Sequence, residues 1–296
     1  MRGRFGYAAG MRIEFLKMQG LGNDFLIFDA PPSDGGRRFD STLLRALADR
    51  HTGIGFDQAL MLERPREASS RAYYRIFNAD GSEVEQCGNG ARCVAALLYA
   101  RAPELGRELT LDSPGGVVHA RVGDDGQVAV DMGLPRFTPA ALPFEAAREQ
   151  LKYPLDIDGA SLEIGAVSIG NPHAVMQVDD VDIAPVGEVG PRVETHARFP
   201  KRVNVGFMQI VARDHIRLRV HERGAGETQA CGTGACAAVV MGRRWGLLDE
   251  SVRVDLPGGT AGVRWHGFDQ HVWLTGPATT VYSGSVDLTN FKGAKQ

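Results

Sequence analysis

A glycine-framed cysteine motif occurs twice in this chain, and the second copy constrains what the chain can fold into. Residues 87–91 read Cys-Gly-Asn-Gly-Ala, and residues 231–235 read Cys-Gly-Thr-Gly-Ala. Glu83 recurs as Glu227 at the same spacing, and Asp112-Ser-Pro-Gly-Gly recurs as Asp255-Leu-Pro-Gly-Gly. Upstream, Gly22-Asn23 matches Gly170-Asn171, and Gly55-Phe56-x-Gln58 matches Gly206-Phe207-x-Gln209. The landmarks recur in one order with a period near half of the 296 residues, far too long for a solenoid unit. A chain of this length supports one large domain or two ordinary ones, and the duplication selects two. The expected organisation is an N-terminal half over 11–133 carrying Cys87, a proline-rich connector over 134–160, a C-terminal half over 161–284 carrying Cys231, and a tail over 285–296.

Periodicity and turn residues fill in the halves. Strands are expected at 12–18, 25–29, 59–62, 72–77, 108–112, 117–122 and 127–132. A helix is expected at 41–50 with Ser41 as its N-cap, and another follows the Cys87 turn through Arg101. The second half is expected to repeat the plan with strands at 163–169, 173–178, 203–211 and 215–222. A helix at 233–245, closed by Gly246, then leads into strands at 252–256, 262–265, 271–275 and 279–282.

Each motif places a thiol in a turn just before a helix. The first N–H groups of a helix have no partner within it and favour negative charge, so a thiol there ionises more readily than an isolated one. Duplicated halves commonly meet about a pseudo-two-fold axis, which would set one thiol on each side of a bound molecule. Inverting a carbon needs that arrangement: one face loses a proton to a base and the other receives one from an acid. Cysteine suits both tasks, because its reference pKa of about 8.5 can be moved towards neutrality. Backbone N–H groups at two helix ends would hold the carboxylate into which the charge passes. Cys93 and Cys236 share no helical face with the motif cysteines and fit no zinc spacing, so they read as core. His173 gains weight from its place beside the duplicated Gly170-Asn171, and Glu222 aligns with Asn78. Neither turn matches a phosphate-loop pattern, and no lysine sits in a repeated landmark, which weakens pyridoxal-phosphate chemistry. The formal charge of −3 gives no nucleic-acid surface. No apolar run has the length of a membrane span, and residues 1–10 lack the apolar core of a signal peptide, so Met11 is a candidate functional start. Four cysteines without an export signal point to thiols in a reducing compartment.

With these features in place the chain closely resembles the diaminopimelate epimerases from about Met11 to Tyr282. The resemblance is carried by Lys17-Met-Gln-Gly-Leu-Gly-Asn-Asp-Phe25, the run from Asn78-Ala-Asp-Gly to Cys87-Gly-Asn-Gly-Ala-Arg-Cys93, Gly170-Asn-Pro-His173, and Glu222-Arg-Gly-Ala-Gly-Glu-Thr-Gln-Ala-Cys-Gly-Thr-Gly234. It implies a mixed α/β (α+β) fold of two pseudo-symmetric halves, each a curled mixed sheet around a central helix, with the active site in the cleft between them. It implies interconversion of LL- and meso-2,6-diaminopimelate, a step toward lysine and peptidoglycan precursors, with neither pyridoxal phosphate nor metal, by cytoplasmic homodimers. Carried over by position, Cys87 and Cys231 resemble the family's acid/base thiols, and His173 and Glu222 the groups that tune them. Asn23, Gln58, Asn78, Asn171, Asn204, Glu222 and Arg223 resemble its substrate contacts, and the backbones of Gly88, Asn89, Gly232 and Thr233 its carboxylate holders. Gln19 stands where many relatives carry histidine. Three alternatives stay open at this point: a proline-racemase-like enzyme, a phenazine-pathway isomerase, against which the thiol pair argues, and a non-catalytic amino-acid-binding protein.

Overall fold

The computed structural model describes residues 12–30, 39–85 and 87–291. The expectations for 1–10, for Met11 as a start and for the basic end at 292–296 fall outside the described residues. The chain divides into two compact units, one running to Val130 and resuming at Pro277, the other spanning Asp131–Gly276.

The first unit contains β1 (Arg12–Gly20), β2 (Asn23–Asp29), α1 (Ser41–Ala48), β3 (Gln58–Glu63), β4 (Tyr73–Asn78), β5 (Glu83–Val84), α2 (Gly88–Arg101), β6 (Glu108–Ser113), β7 (Gly116–Val122) and most of β8 (Val128–Asp131). The second contains β9 (Tyr153–Ile157), β10 (Ala160–Ser168), β11 (Pro172–Gln177), α3 (Val186–Glu194), β12 (Asn204–Ala212), β13 (His215–Glu222), β14 (Gly226–Glu227), α4 (Gly232–Arg244), β15 (Ser251–Leu256), β16 (Gly259–Arg264) and β17 (Trp273–Gly276). The last strand, β18 (Thr279–Asp287), returns to the first unit.

The two ladders have one plan. In the first unit the order is β18-β1-β2-β3-β4-β6-β7-β8, with β2/β3 and β4/β6 parallel and the other neighbours antiparallel. In the second it is β9-β10-β11-β12-β13-β15-β16-β17, with β11/β12 and β13/β15 parallel and the rest antiparallel. These ladders correct the expected bounds. The stretch read as connector supplies β9, and residues 279–287, read partly as tail, supply β18, which pairs with β1 from Arg12 to Gln19. The two segments fill equivalent places, but β9 precedes the other strands of its unit in the chain while β18 follows those of its own, so a repeat search along the sequence cannot align them.

Register also corrects one landmark. Gln58 pairs with Phe25 on one side and Asn78 on the other. In the second unit Asn204 pairs with His173, and Val205 pairs with His221, one residue in from Asn204 and Glu222. The counterpart of Gln58 is therefore Asn204. Gln209 lies five residues further along β12, where it accepts from Val181 N and Arg217. The match of Gly55-Phe56-x-Gln58 to Gly206-Phe207-x-Gln209 was a coincidence of composition. The same registers place Asn78 with Glu222, as the sequence indicated, and Phe25 with His173. Matched ion pairs agree: Arg75 grips Glu83 and Arg219 grips Glu227, each through Nε at 2.6 Å.

Strand periodicity builds each core. On β3, Ala59 and Met61 join Leu43, Leu44 and Leu47 of α1, while Leu60 points at Gly90 of α2. On β12, Val205 and Phe207 pack with Val186 and Val193 of α3, while Met208 reaches Gly242 of α4. Each sheet thus has a short helix on one face and a long one on the other. α2 lies against β1, β2, β6 and β7, and α4 against β10 through β13, β16 and β17, so each sheet curls about its long helix. Those helices are rich in Gly and Ala and buried around most of their circumference, as close wrapping requires.

The helix starts differ slightly from expectation. Asp40, not Ser41, caps α1, taking Leu43 N at 2.8 Å. α4 begins at Gly232 and ends on Trp245, with Gly246 at φ 76°.

Candidate active site

Each long helix begins at its motif cysteine. Cys87 has extended backbone angles (φ −148°, ψ 111°) and its Sγ takes Gly90 N at 3.5 Å. Cys231 does the same for α4 (φ −102°, ψ 105°), its Sγ taking Gly234 N at 3.3 Å. The carbonyls of both cysteines accept the next N–H groups, Ala91 and Ala235, at 2.9 Å. Helix geometry then gives the preceding N–H groups, of Gly88, Asn89, Gly232 and Thr233, no acceptor inside the helix. They sit where the positive end of the helix favours an anion. Glycine is needed at 234 for a steric reason: a Cβ there would lie 2.9 Å from Val220 and 3.2 Å from Cys231 Sγ.

Around Cys87 the predicted residues gather on the ends of β2, β3 and β4. The Leu21-Gly22 turn, with φ 57° and 82°, brings Asn23 round so that its Oδ1 lies 3.9 Å from Cys87 Sγ and accepts Asn89 Nδ2 at 3.3 Å. Gln58 Nε2 donates to Asn78 Oδ1 at 2.9 Å, leaving Gln58 Oε1 buried without a hydrogen bond. Asn78 Nδ2 donates to Ser82. Cys87 is half-buried.

The second unit places its residues on the matching strand ends, with different chemistry. Thr233 Oγ1 lies 3.5 Å from Cys231 Sγ and accepts Asn171 Nδ2 at 3.3 Å. Asn171 Oδ1 lies 3.0 Å from His173 Nε2. His173 is fully buried, and burial together with Arg223 lowers its pKa to about 3, so the ring is neutral. Asn204 joins both flanks: its Nδ2 donates to Pro172 O at 3.1 Å and its Oδ1 accepts Arg223 N at 2.9 Å. Glu222 accepts from Thr228 Oγ1. Burial pushes the Cys231 thiol well above its ordinary pKa, and the neighbouring Glu222 carboxylate pushes the same way. The Arg223 side chain is exposed, with Nη1 on Lys201 O at 3.1 Å. His173 therefore meets the thiol turn through Asn171, whereas Glu222 acts on Cys231 directly.

Within each unit the expected residues assemble. Cys93 and Cys236 are wholly buried core residues, and burial raises the Cys93 thiol to about 12. Sequence reasoning missed three supporting groups. Asp57 Oδ2 takes Asn23 Nδ2 at 3.0 Å, Thr228 holds Glu222, and Glu194 Oε1 accepts Gly224 N at 3.0 Å. Asp57 and Thr228 lie inside quoted motifs, so position was their only signal. Among the described residues, no cluster of three or more His, Cys, Asp or Glu is placed to hold a metal ion, and no helix is long and apolar enough to cross a membrane.

Residues 15–138 and 165–281 match the profile of the family described as Diaminopimelate epimerase. The chain is 54% identical over 282 residues to the diaminopimelate epimerase of Thioalkalivibrio sulfidiphilus, covering 94% of this chain and 100% of that one. Among solved structures it is similar to a hydroxyproline epimerase from Agrobacterium vitis (TM-score 0.65, 15% identity, 95% and 94% of the two chains). It is also similar to a PhzF-family phenazine biosynthesis protein of Bacillus anthracis (TM-score 0.65, 18% identity, 93% and 99%). Those two likenesses bear on the fold.

Proposed function

Since this chain belongs to the diaminopimelate epimerase family, we propose that it epimerises LL-2,6-diaminopimelate to the meso form with Cys87 and Cys231 as its two proton carriers. The observation that supports the pair most is the shared cap. Two thiols, one per half, each accept a helix N–H and sit beside further N–H groups at that helix end.

In this reading the thiolate of one cysteine takes the α-proton and becomes a thiol. The electron pair of the broken C–H bond passes into the adjacent carboxylate. The backbone N–H groups of Gly88, Asn89, Gly232 and Thr233 stabilise the charge that develops there. The thiol of the other cysteine gives its proton to the opposite face and becomes a thiolate. Cys231, held protonated by burial and Glu222, has that proton to give at rest. The second stereocentre is recognised by binding alone. Arg223 offers a planar fork to its carboxylate, and Glu222, Asn78 and Gln58 Oε1 offer acceptors to its ammonium. The reading carries with it a cytoplasmic homodimer serving lysine and peptidoglycan precursor synthesis.

The test is incubation of the purified protein with LL-diaminopimelate in D₂O, with no added cofactor, followed by separation of stereoisomers and mass analysis. The expected result is meso product carrying one deuterium at the inverted carbon. No inversion, or faster inversion of proline than of diaminopimelate, overturns the reading.

A further inference from the structure

Equivalent asparagines in the two halves hold their amides in opposite senses. Asn23 Nδ2 donates to Asp57 Oδ2 at 3.0 Å, so its oxygen faces the Cys87 turn. The sense follows from chemistry: a carboxylate only accepts, so the amide end that Asp57 holds is the NH₂. Asp57 is itself fixed. Its Oδ1 takes Arg50 Nη2 at 2.8 Å, its Oδ2 also takes Asp24 N at 3.0 Å, and its own N–H donates to Asp24 Oδ1 at 2.8 Å. Asp24 in turn receives both arms of Arg50 and the Lys17 ammonium. Burial pushes the Asp24 carboxyl up, but Arg50 and Lys17 outweigh it and hold it below the usual carboxylate range.

In the second half the counterpart of Asn23 is held from its other end. His173 Nδ1 is buried and has no hydrogen-bond partner. A proton there would be an orphan donor, so the single N–H of the neutral ring belongs on Nε2, facing Asn171 Oδ1 at 3.0 Å. Asn171 therefore turns its NH₂ toward Thr233 and the Cys231 turn.

We propose that Asp57 is a positioning residue of the first half-site. Through Asn23 it presents an amide oxygen to Cys87, where His173, through Asn171, makes the second half present an amide nitrogen. An oxygen at that place accepts the Cys87 S–H or a ligand N–H, and a rotated amide would turn a donor there. This rests on the reading of Cys87 as a proton carrier and Asn23 as a substrate contact.

The test compares Asp57→Ala, Asp57→Asn, Asn23→Ala and the Asn23→Ala/Asp57→Ala double variant in the full chain. Asp57→Ala is expected to lower kcat/KM for LL-diaminopimelate by roughly tenfold to a hundredfold, the range of a hydrogen bond to a charged partner. Asp57→Asn restores most of it, because its Oδ1 accepts the same N–H. In the Asn23→Ala background Asp57→Ala costs nothing further, since its effect passes through Asn23. Full additivity in that background would mean a structural role through Asp24 and Arg50, and would overturn the proposal. Asp57→Ser supplies a second truncation should the alanine variant not fold.

A substrate-free arm separates this from the functional reading. A rotated amide favours the thiolate, so Asp57→Ala should speed alkylation of Cys87 by iodoacetamide several-fold, in the Asn23 background only, with Cys231 unchanged. Tyr74 and Cys93, two titratable groups that feel the Cys87 charge, keep their side chains in this variant. If the wild type leaves diaminopimelate unchanged, the functional reading fails and alkylation alone decides. Equal Cys87 rates with and without Asp57 would then overturn the proposal.

Discussion

Cys87 and Cys231 share a cap but not an electrostatic setting. The first half gives its thiol amides, whereas the second puts Glu222 where the first has Asn78 and His173 where it has Phe25. Replacing either cysteine by alanine should cut epimerisation by roughly 10²–10⁴-fold, the usual worth of a general acid or base, while circular dichroism stays native. Turnover near the wild-type rate in either variant would rule out two proton carriers. Glu222→Gln removes a charge that raises the Cys231 pKa, so the thiolate fraction at a given pH should rise. Peptide mapping should find Cys231, and not Cys87, alkylated faster in that variant. His173 makes stability fall on the acid side. Its folded pKa of about 3 lies below the ordinary histidine value of 6.5, so above pH 6.5 both states are neutral and nothing is lost. As pH falls from 6.5 toward 3 only the unfolded chain takes the proton, and stability should drop by about 1.4 kcal/mol per pH unit from this group. His173→Phe, copying the first half, should flatten that slope in urea titrations at pH 4 to 7; an unchanged slope would mean that other groups carry it. The motif residues were legible in the sequence because they recur or lie in a specific pattern. Asp57 and Thr228 were not, because they act through another side chain, and no spacing rule encodes that.

Among the elements, α3 shows where local sequence reading fails. Its sequence, Val-Gly-Glu-Val-Gly-Pro-Arg-Val-Glu, has two glycines and an internal proline, and reads as loop. The helix forms because Val186 and Val193 bury in the core with Val205 and Phe207, and because Gly190 leaves room for the His221 ring, which a Cβ would meet at 2.7 Å. Tertiary packing overrides propensity, and the partner strand lies beyond any local window. α3 also delivers Glu194, which is buried and accepts on both sides of the Glu222-Arg223 pair, from His221 Nε2 at 2.8 Å and Gly224 N at 3.0 Å. Glu194→Ala leaves the buried His221 ring N–H without this partner, at about 1–3 kcal/mol, and frees the turn at Gly224 that carries Arg223. KM for diaminopimelate should rise more than kcat falls, with partial rescue by Glu194→Gln. A fall in kcat alone would place Glu194 with the chemistry instead. The strands were the easier elements, since the alternation of Ile216, Leu218 and Val220 on β13 is written in the chain.

At the scale of the whole molecule, the repeat explains both what was found and what was misplaced. Eight strands in one order recur in both units, yet the strand that heads the order comes first along the chain in one unit, as β9, and last in the other, as β18. Such a chain cannot complete its N-terminal unit until its last strand is made. β18 pairs with β1 from Arg12 through Gln19, and Gly284 lies flat on the Phe15 ring, where a Cβ would come within 2.7 Å. The Tyr282 ring meets Phe15 edge-on at 6.0 Å, and Leu288 closes the same core cluster as Ile13 and Phe15. Ending the chain at Ala278 would bare the long edge of β1 and uncover Phe15, a template for edge-to-edge association. That variant should be made largely as insoluble aggregate, while a chain ending at Phe291 keeps the yield and melting temperature of the full chain. The comparison needs only soluble yield and a thermal scan of the two shortened chains. A monodisperse 278-residue chain that melts with the full-length protein would show that β18 is dispensable, and that the first unit closes its core without the returning strand.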